Sequence, residues 1–223
     1  MERKSFLLGY YNYTVILTYI GMICGFIGII NVLEGNAPIA ILCLMAAGFC
    51  DMFDGAIAST MVRTEQEKHF GIQIDSLSDL ICFGVLPAIL VYSMTPGKIY
   101  TMAISSIYAL CALIRLAYFN VDEFERQKKN SGSRELYLGL PVTLAAMFIP
   151  LAFGIQYRFA FQSNLLMTIT LAIMAACFLL PIPLKKPKKV GKIIFVLAGL
   201  AIVIFLYIII YYTKKGCFFA LPL

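Results

Sequence analysis

Four of the chain's five aspartates, Asp51, Asp54, Asp75 and Asp79, stand inside otherwise apolar sequence. An ionised group at mid-membrane depth costs about 2.5–3.5 kcal/mol on insertion scales. Four carboxylates that also repel one another cost several times that, unless protons or cations neutralise them. Their spacing favours a shared site. Asp51 and Asp54 are i,i+3, and Asp75 and Asp79 are i,i+4, so on helices each pair lies on one face. A connection over residues 62–70 joins the two segments as a helical hairpin. Both acidic faces then lie roughly 8–12 Å inside their helices and meet near one membrane surface. Oxygen ligands of this kind suit Mg²⁺ or Mn²⁺, and no histidine–cysteine cluster points to zinc. The single histidine, His69, sits in the connection beside Lys68. Two such cations beside small residues fit diphosphate chemistry, because they clamp phosphoryl oxygens and neutralise charge on a departing group.

The elements that must position these acids are membrane spans. The chain is 61% hydrophobic and only 13% charged, against about 25% charged for a soluble domain. Seven apolar segments are expected at 12–33, 37–61, 71–94, 98–120, 139–155, 164–184 and 190–212. Each is near the ~20 residues that cross the hydrocarbon layer. Helices are expected throughout, since unpaired backbone is not tolerated in lipid. With the N-terminus inside, thirteen lysines and arginines fall on inside segments and four (Lys98, Arg158, Lys214 and Lys215) on outside ones. This positive-inside bias places the aspartates near the cytoplasm. Arg115 belongs to neither set, because it lies within the fourth span.

The remaining features fit the same class. Basic residues confined to short loops beside spans argue against nucleic-acid binding. Six of seven cysteines lie in apolar runs and none forms a C-x-x-C pair, so they read as packed apolar residues. The first span is expected to be an uncleaved helix rather than a signal peptide. Gly21, Gly25 and Gly28 form a small-residue stripe suited to close helix packing. The charged run 122–135, containing the Asn130-Ser131-Gly132-Ser133 stretch, is expected as a polar loop, and Lys185–Lys189 with Pro187 as a basic hinge.

The residues around the acids are recognisable. The segment Asp51-Met52-Phe53-Asp54-Gly55-Ala56-Ile57-Ala58 is followed by Gly71-Ile72-Gln73-Ile74-Asp75-Ser76-Leu77-Ser78-Asp79. This closely resembles the paired D-x-x-D-G-x-x-A-R and G-x-x-x-D-x-x-x-D motif of the CDP-alcohol phosphotransferases. Asp75-Ser76-Leu77-Ser78-Asp79-Leu80, Phe83-Gly84-Val85-Leu86-Pro87-Ala88, Arg115-Leu116-Ala117-Tyr118-Phe119-Asn120-Val121 and Gly139-Leu140-Pro141 resemble the phosphatidylserine synthase branch. One position departs from the pattern: Ser59 follows Ala58 where the family has arginine, and the link to Gly71 is longer than the family spacing. Arg63 brings a positive charge nearby in a different register.

The resemblance implies an all-α integral membrane protein. Its six-helix core would occupy residues 1–189, with one additional C-terminal helix and tail at 190–223. It implies transfer of the phosphatidyl group of CDP-diacylglycerol to L-serine with release of CMP. Asp51, Asp54 and Asp75 would ligate two divalent cations, Mg²⁺ or Mn²⁺. Asp79 would share one of them and take the proton of the serine hydroxyl. Gly55, Ala58 and Gly71 would pack against the cytidine diphosphate. A homodimer in the cell membrane, surrounded by membrane lipids and with a cytoplasm-facing active site, is also implied.

Serine's carboxylate needs a cation. Arg115 is the basic residue deep in a span on that side; an ion pair with the aspartates is its alternative role. Asn120 is a candidate partner for the amino acid, or a helix C-terminal cap. Three other readings compete. They are a phosphorylated acceptor such as glycerol phosphate or inositol phosphate, a carboxylate-based transporter, and a non-catalytic lipid-binding relative motivated by Ser59.

Overall fold

The computed structural model describes residues 8–129, 136–159, 165–185 and 189–214. The sequence dictates its first feature directly: long apolar runs close their own backbone hydrogen bonds as helices. Helix α1 is Tyr13–Leu33 and α2 is Ala37–Ala58. A tight turn with Gly35 at φ +79° joins them, and a proline in the first turn of α2 starts the second helix. Helix α3, Glu65–Asp79, runs on through a wide π-helical segment, Leu80–Val85, into α4, Leu86–Ser93. Helix α5 is Ile99–Lys129. A short 3₁₀ turn, Val142–Leu144, leads into α6, Ala145–Arg158; α7 is Leu165–Leu179 and α8 is Lys189–Lys214.

Among the described residues, four continuous helices, Tyr13–Leu33, Ala37–Ala58, Glu65–Ser93 and Ile99–Glu125, are long and apolar enough to cross a membrane. The apolar stretches of the later helices are shorter: Val142–Arg158, Leu165–Leu179 and Val196–Ile208. Each of the seven expected segments therefore contains a helix, although the sixth is helical only from Leu165 to Leu179. Large apolar side chains such as Ile16, Ile20, Ile23 and Phe26 point outward along α1, as a helix facing lipid requires.

Two local expectations are corrected. The link between the acidic helices is residues 59–64, not 62–70, because α2 ends at Ala58 and α3 starts at Glu65. The cause is a capping box. The Thr64 hydroxyl accepts from the Glu67 backbone N–H at 3.2 Å, and the Glu67 carboxylate accepts from the Thr64 N–H at 2.9 Å. Together these satisfy two donors that a helix start otherwise leaves open. Second, the polar run beginning at Asp122 is not a loop up to Lys129, since α5 continues through it. At about 46 Å, this 31-residue helix is longer than the ~30 Å hydrocarbon layer, so its charged end has water to stand in. The fold is the expected all-α membrane bundle, to which the connecting segments add one short antiparallel strand pair, β1 (Leu136–Leu138) with β2 (Pro183–Lys185). Residues 130–133, the expected outside residues 160–163 and the hinge residues 186–188 lie outside the described residues.

The strand pair ties the entrance of α6 to the exit of α7, and Gly139 makes the join. Its φ is +78°, and a Cβ there would lie 2.9 Å from the Phe178 carbonyl oxygen. Its N–H donates to the Ile182 carbonyl at 2.9 Å. Only glycine meets both demands at low cost.

The packed interior contains Phe83, Leu86 and Leu90 of the α3–α4 span, Tyr108 of α5, Ile149 of α6 and Met167 and Leu171 of α7. Helix α8 joins through Ile202 and Leu206, with Phe205 against Gly154 of α6. The glycine stripe of α1 serves packing. Cβ atoms at Gly21, Gly25 and Gly28 would press respectively on Cys50, on Cys82, and on Cys43 and Leu86. Helix α1 thus lies close against both acid-bearing segments.

Candidate metal centre

The acidic residues arrive from two helices and converge. Asp51 and Asp54 stand on the last two turns of α2, and Asp75 stands on α3. One carboxylate oxygen from each of the three lies within 4.8 Å of the others. The Asp54 and Asp75 carboxyl groups come within hydrogen-bonding reach of each other. Two ionised carboxylates repel at that separation, so a cation or a shared proton must lie between them. Asp79, one turn deeper on α3 and buried, lines the same small cavity. The charges of Asp51, Asp54 and Asp75 all act on it.

Helix α1 forms the third wall. The Thr18 hydroxyl donates to the Asp54 carboxylate at 3.3 Å. Ser78 donates to the Thr18 carbonyl at 3.5 Å, and the Cys82 thiol to the Gly21 carbonyl at 3.4 Å. Thr18, Ser78, Cys50 and Cys82 therefore line the cavity beside the acids. Neither Thr18 nor the two thiols belongs to the site residues expected from the sequence. Their signal was the register of α1: Thr18 lies three residues before Gly21, on the stripe that brings α1 close.

The glycine positions divide. A Cβ at Gly55 would meet nothing within 4 Å, so the surface beside Asp54 is open. A Cβ at Gly71 would lie 3.2 Å from the Arg63 guanidinium. Ala58 is the last residue of α2, and Ser59 caps that helix, its hydroxyl donating to the Ala56 carbonyl at 2.6 Å. Capping the helix end is thus the local work of the residue that replaces the family arginine.

The two acceptor candidates are on α5. Arg115 is buried, and its guanidinium lies 5.7 Å from the centre of the Phe119 ring. Its charge also reaches Asp79. Asn120 accepts a hydrogen bond from the Ser76 hydroxyl at 2.8 Å, which ties α5 to the acid-bearing face of α3. Asn120 does not cap a helix end, because α5 runs nine residues further. His69 packs against Phe124 with ring centres 5.2 Å apart, on the α5 side of α3. Neither histidine nor cysteine belongs to the convergent ligand set, which among the described residues is Asp51, Asp54 and Asp75.

An all-oxygen donor set from two rigid helices, reinforced by a threonine hydroxyl, fits a hard divalent cation. A cation held by Asp51, Asp54 and Asp75 would neutralise the acids and supply a positive charge near the open surface at Gly55. That is the arrangement needed to hold a second, anionic group.

Comparison with known proteins gives the chain's relatives. The *B. subtilis* (strain 168) protein named CDP-diacylglycerol–serine O-phosphatidyltransferase is 30% identical over 142 residues, covering 61% of this chain and 72% of that protein. The *Methanothermobacter thermautotrophicus* protein named archaetidylserine synthase is 32% identical over 135 residues, covering 60% of this chain and 54% of that one. The *Saccharomyces cerevisiae* protein named CDP-diacylglycerol–serine O-phosphatidyltransferase is 33% identical over 119 residues, covering 52% and 42%. The match thus spans most of the first relative and about half of the other two. The family model described as CDP-alcohol phosphatidyltransferase matches residues 11–221, nearly the whole chain and both acidic helices, so the protein belongs to the CDP-alcohol phosphatidyltransferase family.

Proposed function

We propose that this protein transfers the phosphatidyl group of CDP-diacylglycerol to the hydroxyl of L-serine and releases CMP. The observation that carries the reading is the convergence of Asp51, Asp54 and Asp75 within 4.8 Å at the end of two membrane helices, in a chain of this family. Serine is what the names of the three relatives have in common.

In this reading Asp51, Asp54 and Asp75 hold two divalent cations, Mg²⁺ or Mn²⁺, with Asp79 contributing to one. When bound, such ions polarise phosphoryl oxygens and offset the charge that builds on the leaving CMP. The protein's own groups do the rest. Gly55 and Ala58 leave the end of α2 bare enough for the cytidine diphosphate to lie against it, and Gly71 receives it on α3 beside the Arg63 guanidinium. The serine hydroxyl oxygen forms a new bond to the phosphorus that carries the diacylglycerol. The bond from that phosphorus to the CMP oxygen breaks, and Asp79 accepts the hydroxyl proton. A carboxylate is a competent base here when it is aimed at the hydroxyl and stripped of bulk water. Arg115 offers the serine carboxylate a buried positive charge. Asn120, held by Ser76, offers its amide.

The positive-inside bias supports a site that faces the cytoplasm from the cell membrane, where soluble serine is at hand. We assign residues 1–189 to the transfer domain and 190–223 to an added helix and tail, and take the working unit to be a homodimer.

The test is CMP release by the purified protein from CDP-diacylglycerol, with and without serine, across Mg²⁺ and Mn²⁺. Metal-dependent release that needs serine is expected. Robust product with glycerol phosphate or inositol phosphate, and none with serine, rejects the acceptor. No CMP under any condition rejects the reaction.

A further inference from the structure

The connection between the acidic helices carries a cation in an unusual place. Arg63, half-buried, lays its guanidinium on the surface of α3 at Gly71, 3.2 Å from where a Cβ would stand. Gly71 lies one turn before Asp75 on the same helix face. Arg63 therefore covers the strip of α3 that leads from the cluster of acids toward the helix start. The other basic residue of this connection, Lys68, is already paired with Glu65 at 2.7 Å. Arg63 has no ion pair within 4 Å among the described residues; its charge acts on Glu67, whose carboxylate is engaged in the capping box. Across the hairpin, the surface at Gly55 is open.

A ligand held at the acids and long enough to run along the hairpin would lie between the bare backbone at Gly55 and the guanidinium at Gly71. Negative charge on it would there face Arg63. We propose that Arg63 is a binding residue for the nucleotide phosphate of the donor and of the CMP product, and that Gly71 is glycine so that this guanidinium can lie flat on α3. The inference rests on the reading that the donor is a cytidine-diphosphate lipid. Planar, permanently charged guanidinium groups suit phosphate oxygens, which accept two parallel N–H bonds. An arginine reaching in from the link needs no basic residue at Ser59, which is occupied in capping α2.

The experiment uses the full-length protein in detergent or liposomes and reads three quantities: KM for CDP-diacylglycerol, the inhibition constant of added CMP, and KM for the acceptor. Arg63→Ala is expected to raise the first two in parallel by about tenfold or more, since one charge-assisted hydrogen bond is worth that much. The acceptor KM should stay put. Arg63→Lys keeps the charge but loses the fork and should fall between, which preserves the test if the alanine variant does not fold. Lys68→Ala should move none of the three. Unchanged donor KM and CMP inhibition in Arg63→Lys and Arg63→Ala would overturn the proposal, as would an equal change in acceptor KM. The acceptor question stays separate. If the wild type uses inositol phosphate instead of serine, yet Arg63→Ala still weakens donor and CMP, serine is wrong and Arg63 stands.

Discussion

Between α1, α2 and α3 the chain buries carboxylates, hydroxyls and thiols around a cavity; between α5, α6 and α7 it buries Tyr108, Ile149, Met167, Leu171 and Phe178. Both regions lie in one bundle, and lipid makes the contrast sharper than it would be in water. Lipid tails are as apolar as leucine, so packing Ile149 inside gains mainly dispersion contacts and shape complementarity. That modest gain does not cancel the burden of several crowded carboxylates. The first region is therefore stable in its working form only with its charges neutralised locally, while the second needs nothing added. Substitutions in the two regions should differ in kind: the first should trade function against cation dependence, the second should trade stability alone.

The largest expected effect is at Asp54, which receives Thr18 and faces Asp75. Asp54→Asn should lower CMP release by on the order of 10²–10³-fold or more, the scale of losing a group that stabilises developing charge. Its thermal unfolding without cation should be no worse than wild type, because a repelling charge has gone. The rise in unfolding temperature that Mg²⁺ gives the wild type should shrink, since stabilisation by a ligand follows its affinity. A variant that loses stability without cation and keeps its Mg²⁺ response would break the contrast at its root.

Next comes Asp79, buried and one turn deeper. Asp79→Asn should lower kcat by about 10²-fold, the lower end of the usual contribution of a positioned base, with KM for CDP-diacylglycerol little changed. An equal loss in donor affinity would make Asp79 chiefly a ligand holder and extend the first region's cation site by one turn.

How much of this arrangement was legible follows from the same physics. Acids are so costly in lipid that Asp51, Asp54, Asp75 and Asp79 announced a shared site by spacing alone, and the apolar runs announced helices. The start of α3 was written in Thr64-x-x-Glu67, but charged residues beside a span resemble a loop, and so do those from Asp122 to Lys129. Neither run belongs in lipid, yet both are helical where α3 and α5 extend past the membrane and touch through His69 and Phe124. The π segment at Leu80–Val85 left no mark, because an apolar run reads alike in either helical form. Arg63 was visible as a nearby charge, but its place against Gly71 depends on how the link folds back, which spacing does not encode.

The second region is tested first at Gly139. Gly139→Ala must hold a left-handed backbone with its Cβ 2.9 Å from the Phe178 carbonyl. A cost of about 1–3 kcal/mol is expected from the backbone alone, read as a lower unfolding temperature that Mg²⁺ shifts as much as in the wild type. A KM change for donor or acceptor would show that the α6–α7 join reaches into the transfer site.

The smallest effect is expected where the two regions meet. The Tyr108 hydroxyl, fully buried in the apolar interior, donates at 2.7 Å to the carbonyl of Phe83. Phe83 lies in the π segment and lines the acid cavity. A wide turn frees carbonyls from the usual i→i−4 ladder, and this hydroxyl supplies one of them with a donor in a place water does not reach. Tyr108→Phe removes that donor without changing the ring, and a buried acceptor left alone costs about 1–3 kcal/mol. Because Leu86, Leu90 and Phe83 stay packed around the turn, the segment should keep its path, so unfolding temperature should fall while kcat and Mg²⁺ dependence hold. If kcat falls together with stability, the hydroxyl is instead aiming Asp79, one turn upstream, and the apolar region is setting the geometry of the chemistry rather than merely supporting it.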